Sequence, residues 1–124
     1  MNSNRFPKSA RLLKSDEFDR VFRRRCVVSD DLLVLHAERG LAEETRMGLV
    51  VSRKCGNAVV RNRWKRILRE AFRLVRSELP QGLDLVIVPR RNGKPGAIPS
   101  LVAAQSSLSE LVKRAAKKLA SASK

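Results

Sequence analysis

The stretch "KCGNAVVRNRWKRILREAFR", residues 54–73, decides how the rest of the chain can be arranged. Counted at about 100° per residue from Ala58, the residues Val60, Trp64, Ile67, Leu68, Ala71, Leu74 and Val75 gather on one side. That predicts a helix with an apolar face wide enough to lie on a sheet. Asn62, Lys65, Arg66, Arg69, Arg73 and Arg76 gather opposite, and Arg61 and Arg63 flank the seam. The charge is one-sided. Arg53 to Arg73 holds eight basic side chains and one acid, Glu70, and no acid occurs between Thr45 and Arg69. A merely solvated helix face mixes Glu with Lys and gains from i, i+4 pairs. Arg61 and Arg63 also stand near the helix start, where the backbone dipole is positive and a cation costs a few tenths to about 1 kcal/mol. A polyanion lying against the helix would turn that cost into attraction, because arginine forks suit phosphate geometry. Just upstream, Gly56 permits a tight turn and Asn57 is a good N-cap. The free N–H groups at such a helix start also favour phosphate.

Outward from this helix the pattern changes period. "RMGLVVS" precedes it and "LDLVIVP" follows the Pro80-Gln81-Gly82 turn, and both read as strands. Further upstream "CVV" and "LLVLHA" read as strands separated by a turn at Ser29-Asp30-Asp31. "SDEFDRVFRR" reads as a short helix with Ser15 as N-cap, Asp16 and Glu17 in its first turn, and Phe18, Val21 and Phe22 on one face. "RRNGKPGAIP" is a loop by its Asn-Gly, Pro-Gly and Pro content. From Ser100 a last helix carries Leu101, Ala104, Leu108, Leu111, Val112, Ala115 and Leu119 on one side. The expected order is therefore α-β-β-β-α-β-α, an α/β (α+β) fold in one domain spanning 1–124. The ends, 1–10 and 120–124, are expected to be flexible.

A chain of 124 residues with 43% apolar content can bury one core. Its net charge of +15 repels itself unless a polyanion neutralises it, and nucleic acid is the leading partner on that count. No apolar run approaches the roughly 18 residues of a membrane span, and the basic N-terminus lacks the apolar core of a secretory signal. Cys26 and Cys55 form no C-x-x-C pair, and with His36 alone they cannot complete an ordinary zinc site. Two reduced thiols in a cytoplasmic protein is the expected reading.

At these residues a family resemblance emerges. "RMGLVVSRKCGNAVVRNRWKRILREAFR" closely resembles the signature of the bacterial ribonuclease P protein component, and the likeness extends to "RLLKSDEFDRVFRR" and "LDLVIVPR". The resemblance implies a two-layer α/β sandwich whose four-stranded sheet has a left-handed crossover through the R-N-R helix. It implies a catalytic RNA as partner and precursor tRNA, cut to its mature 5′ end, as substrate. On this resemblance Arg53, Lys54, Asn57, Arg61, Asn62, Arg63, Lys65, Arg66 and Arg69 would meet the catalytic RNA. Phe18, Phe22 and His36 would line a cleft for the single-stranded 5′ leader. His36 stands where relatives commonly have a tyrosine or similar aromatic; Trp64, often aliphatic in relatives, reads as core. From the residues alone, core packing is the favoured reading of Phe18 and Phe22, whereas on the resemblance they are platforms on which unpaired bases stack.

Protein-only RNA cleavage needs an acid and base pair or a carboxylate cage for metal. One histidine allows no histidine pair, and Asp30-Asp31 and Glu43-Glu44 fall in expected turns. No catalytic residue is therefore expected in this chain. The resemblance implies an endoribonuclease whose active site and Mg²⁺ ions belong mainly to the RNA, with a protein that is monomeric before assembly and has no membrane role. The competing reading is a ribosomal-type protein or general RNA chaperone with the same charge and no part in tRNA processing. A helix-turn-helix DNA reader is disfavoured by strands directly flanking the basic helix. An anionic-membrane binder is disfavoured because a sheet is available to cover the helix's apolar side.

Overall fold

The computed structural model describes residues 10–12, 14–90 and 98–122. Its elements are α1 (Ser15–Arg24), β1 (Cys26–Ser29), β2 (Leu33–Arg39), β3 (Arg46–Leu49), α2 (Ala58–Val75), β4 (Leu83–Pro89) and α3 (Leu101–Ala122). This is the order expected from the sequence. The central part of the expected Arg90–Pro99 loop, residues 91–97, lies outside the described residues, as do 1–9 and 123–124 of the termini.

The strands form one sheet in the order β1-β2-β4-β3, antiparallel except where β3 runs parallel to β4. A parallel neighbour requires a crossover, and α2 supplies it. Registration places Cys26, Ala37, Leu85 and Met47 in one row across the sheet, and Val28, Leu35, Ile87 and Leu49 in another. Both rows face α2 and α3. There they join Trp64, Leu68, Ala71, Phe72, Leu108, Leu111, Val112 and Ala115 in a single core cluster. These are the two principal layers, and α1 lies across the opposite face.

Two local expectations are corrected. Ser15 is already helical, and the α1 cap is Lys14, whose backbone N–H donates to Glu17 Oε1 at 3.2 Å. The reciprocal reach of the third helical residue, rather than a serine hydroxyl, satisfies this end. On α2, Leu74 is exposed and Phe72 is completely buried. Both stand near the borders of the apolar arc, and α3 packing alongside α2 buries one border and not the other.

α1 crosses the strands in a way that the register makes plain. Its polar residues follow one row of the sheet: Glu17 bonds Arg46 on β3 at 3.1 Å, Arg20 bonds Asp84 on β4, and Arg24 approaches Glu38 on β2 at 3.7 Å. Its apolar residues follow the next row, formed by Gly48, Val86 and His36. Phe18 rests on Gly48, where any Cβ would run into its ring. Val21 packs with Val86 in a small second core, and Phe22 meets His36. The third row, Val50, Val88, Val34 and Ser29, is only half-buried, so a strip of the sheet beside α1 stays partly open.

Asp84 is fully buried and is gripped from both sides. Arg46 reaches it through two bonds, Nε to Oδ1 at 2.9 Å and Nη2 to Oδ2 at 2.8 Å, while Arg20 comes down from α1. The hydrogen bonds to Asp84 push the Arg46 pKa up. Removing one partner from such a group leaves buried charge uncompensated. Asp84→Asn is expected to lower unfolding free energy by about 3–5 kcal/mol in a urea melt. Arg24→Ala, which breaks an outlying pair, should cost at most about 1 kcal/mol.

Candidate nucleic-acid interface

The basic helix is built as its sequence suggests. Asn57 caps α2, its side-chain oxygen accepting from Val60 N–H at 3.1 Å. Gly56 holds φ +141°, and a Cβ there would press on the Val60 side chain. Arg53 and Lys54 sit in the short 3-10 turn that leads from β3 into the helix. Trp64, Leu68, Ala71 and Val75 turn inward, with Val60 and Ile67 packed at the margin. This leaves Arg53, Lys54, Asn57, Asn62, Arg63, Arg66 and Arg69 exposed, with Arg61 and Lys65 half-buried.

The charges on this helix divide into two groups. Toward its C-terminal end Arg73 bonds Glu70, and Arg76 bonds Glu44. The bond from Arg73 holds the Glu70 carboxyl below the usual carboxylate range. Among the described residues, Arg53, Lys54, Arg61, Arg63, Lys65, Arg66 and Arg69 form no ion pair with a carboxylate. Arg61 Nε is moreover buried without a hydrogen-bond partner. Among the described residues, the cations of this helix without a carboxylate partner thus run from the turn before it as far as Arg69, and the paired ones lie beyond.

The structure brings this face and the expected cleft next to each other at the β3 edge. A cavity of about 210 Å³ opens there between Phe18, Gly48 and Leu12 on one side and Lys65 and Arg69 on the other. Arg11 also lines it, because residues 11–12 run parallel to β3 and Leu12 N–H donates to Met47 O at 3.1 Å. Arg11 is not among the residues expected from the sequence. Nothing in its neighbourhood marks it, since its place depends on pairing with a distant strand. At the other end of the cleft the Phe22 and His36 rings meet at 82° with centroids 4.8 Å apart. Phe22 is 36% exposed, whereas Phe18 is half-buried against the small core. Burial pushes the His36 pKa down, favouring the neutral imidazole.

Among the described residues no three His, Cys, Asp or Glu side chains are grouped to hold a metal ion. Cys26 and Cys55 are both buried free thiols. Among the described residues no helix is long and apolar enough to cross a membrane.

An α/β scaffold whose basic helix carries seven cations without carboxylate partners among the described residues, close to exposed aromatic side chains, has the features of nucleic-acid-binding proteins. Comparison with known proteins makes this specific. The Ribonuclease P family model matches residues 6–118. The ribonuclease P protein component of Brevibacillus brevis is 42% identical over 110 residues, covering 87% of this chain and 84% of the relative. That of Chlamydia trachomatis serovar L2 is 46% identical over 90 residues, 72% of this chain and 74% of the relative. Among solved structures, the RNase P protein from Thermotoga maritima superposes with a TM-score of 0.74 at 30% identity, covering 84% of this chain and 96% of that one. The Staphylococcus aureus RNase P protein gives 0.73 at 29% identity, covering 87% and 96%. The chain belongs to the bacterial ribonuclease P protein component family, the protein part of a tRNA-processing ribonucleoprotein endoribonuclease.

The His36 environment carries a pH signature. Its folded-state pKa is lowered, so on acidification the unfolded chain takes up the proton first and stability falls. The contribution is complete above the unfolded value of about 6.5, starts to be lost below it, and is gone once the pH has fallen through the lowered folded value. Chemical melts at about pH 7.5 and about pH 5.5 should show this loss. His36→Gln should flatten the difference.

Proposed function

We propose that this chain assists a catalytic RNA in removing the 5′ leader of precursor tRNA, using two adjoining surfaces. Arg53, Lys54, Asn57, Arg61, Asn62, Arg63, Lys65, Arg66 and Arg69 contact the catalytic RNA. Phe18, Phe22 and His36 hold the single-stranded leader in a groove along the partly open strip beside α1. The RNA performs the cleavage and binds the Mg²⁺ ions; the protein positions the leader and lowers repulsion between two polyanions.

The observation that carries this reading is the cluster of seven cations without carboxylate partners among the described residues, next to a partly open strip of the sheet and the Phe22–His36 pair. A phosphate backbone on α2 supplies the missing counter-charge and offsets the dipole cost at Arg61 and Arg63. Unpaired bases offered an aromatic ring stack on it whatever their sequence, which suits a partner whose leader varies.

Purified protein added to a bacterial ribonuclease P RNA at low Mg²⁺ should give protein-dependent 5′ cleavage of precursor tRNA. Equal binding to many structured RNAs with no stimulation of processing would instead favour a general chaperone. Alanine at Arg61, Arg63 and Lys65 together should reduce the log-log salt slope for catalytic-RNA binding by about 0.7–0.9 for each phosphate no longer neutralised. The fold should persist, since none of the three belongs to the core. An unchanged slope would remove α2 from the interface.

Phe22→Ala separates the groove from assembly. Loss of a stacking platform should cost about 1–3 kcal/mol of binding to substrate with a long leader and little with a short one. Affinity for the catalytic RNA should stay at the wild-type level. A melting-temperature drop equivalent to about 3–5 kcal/mol, with no dependence on leader length, would assign Phe22 to the core instead.

A further inference from the structure

The groove floor ends at Ser29, on the outer edge of β1. Asp30 N–H donates to Leu33 O across the hairpin, so Val28 and Cys26 pair inward and the Val27 and Ser29 carbonyls point away from β2. An edge of this kind exposes unpaired acceptors. Here cations occupy them. Lys118 Nζ donates to Val27 O at 3.0 Å, and Arg114 Nη1 donates to Ser29 O at 3.1 Å. Arg90, which follows β4, donates to Ser29 Oγ at 3.3 Å and to Asp30 O at 3.2 Å.

These bonds are made to neutral carbonyl and hydroxyl oxygens, so the three positive charges keep their outward attraction. Among the described residues none of the three forms an ion pair with a carboxylate, and neighbouring Asp30 is engaged by Ser107 and by the Leu32 and Leu33 N–H groups. Burial raises its pKa, but those bonds and the neighbouring Arg114 outweigh it. Glu38 faces Arg24 instead. The anchoring oxygens of Val27 and Ser29 lie about 6.6 Å apart along the strand. That is close to the separation of successive phosphates on an extended nucleic-acid strand.

We propose that Arg90, Arg114 and Lys118 form a phosphate track at the β1 edge that receives the upstream end of the 5′ leader after it has crossed the groove. This rests on the leader-groove reading above and extends it to residues on α3. On that reading the catalytic RNA lies on α2, which follows the edge strand β3, and this puts the cut site toward the β3 end of the sheet. The floor spans four strands, about 14 Å. A longer leader must therefore leave at β1, where these cations stand.

The test uses the holoenzyme assembled with a bacterial ribonuclease P RNA and compares wild type with the double variant Arg114→Gln, Lys118→Gln. Glutamine keeps an N–H for the strand carbonyls and removes the charge. Affinity for precursor tRNA is titrated against salt for leaders ending within the groove and leaders extending beyond it. The expected result is weaker binding of the extended leader only, its log-log salt slope reduced by about 0.7 for each phosphate left without its cation. The charge-keeping pair Arg114→Lys, Lys118→Arg should restore it, which separates charge from edge packing. Equal losses for both leader classes, or unchanged binding for both, overturn the track. So does a loss confined to catalytic-RNA binding, which would give this edge to that RNA. If wild-type protein gave no leader-dependent binding at all, the groove reading itself would fail first.

Discussion

Asp84 is the point on which the arrangement of this molecule turns. Its carboxylate joins β4 to β3 through Arg46 and to α1 through Arg20, and Glu17 closes the circuit from α1 back to Arg46. Desolvating such a group is costly, and an apolar replacement can be as stable, so stability is not its distinctive contribution. Placement is. α1 buries only Val21 completely, and so small an apolar contact would let a ten-residue helix slide over a flat face. A guanidinium fork on a buried carboxylate accepts one geometry. It thereby fixes the line of Phe18 and Phe22 and the row of the sheet left open beside them. Gly40 belongs to the same constraint, since a Cβ there would come within 2.8 Å of Asp84 Oδ1.

The excess of cations is divided between two tasks. Arg20, Arg46 and Arg76 are matched with distant acids and tie separate segments together, while Arg73 pairs with Glu70 within α2. Those at the start of α2 are left without such partners among the described residues. Had the imbalance been spread evenly, each element would carry repulsion. Gathering the densest part of it on one helix, anchored by Trp64, Leu68 and Phe72, presents a strong field to a polyanion. The acid-free stretch from Thr45 to Arg69 is this division written in the sequence.

Element types and order are legible in the sequence because each depends on local periodicity. The apolar stripe of α3 can be read residue by residue, and its Ala104, Leu108, Leu111, Val112, Ala115 and Leu119 are all buried. The cations of the R-N-R face are legible too, since exposure on a helix follows from its angle to the core. What escapes is whatever depends on two distant segments meeting. Asp84 looks like one polar residue in an apolar strand until Arg20 and Arg46 arrive. Arg11 joins the cavity only through its pairing with Met47, and Phe72 is buried rather than Leu74 only because α3 lies alongside. The uncovered row Val50, Val88, Val34 and Ser29 is likewise a product of strand order, which the one-dimensional pattern does not carry.

The two phenylalanines, four residues apart on one helix, are set different tasks by what lies beneath them. A glycine inside a strand weakens it and marks close backbone approach, and Gly48 is where the Phe18 ring descends onto β3. Phe18 is consequently a wall of the groove, packed with Leu12 and Val86 and shaping the cavity shared with Lys65 and Arg69. Phe22 stands over His36 with the ring planes nearly perpendicular. A base stacked on either ring of that pair meets the edge of the other, so the pair offers a corner rather than a flat shelf. Burial keeps the imidazole neutral, which leaves one ring nitrogen as donor and the other as acceptor. A tyrosine at that position would offer a single hydroxyl; the histidine keeps an aromatic surface while placing both functions at the rim of the ring.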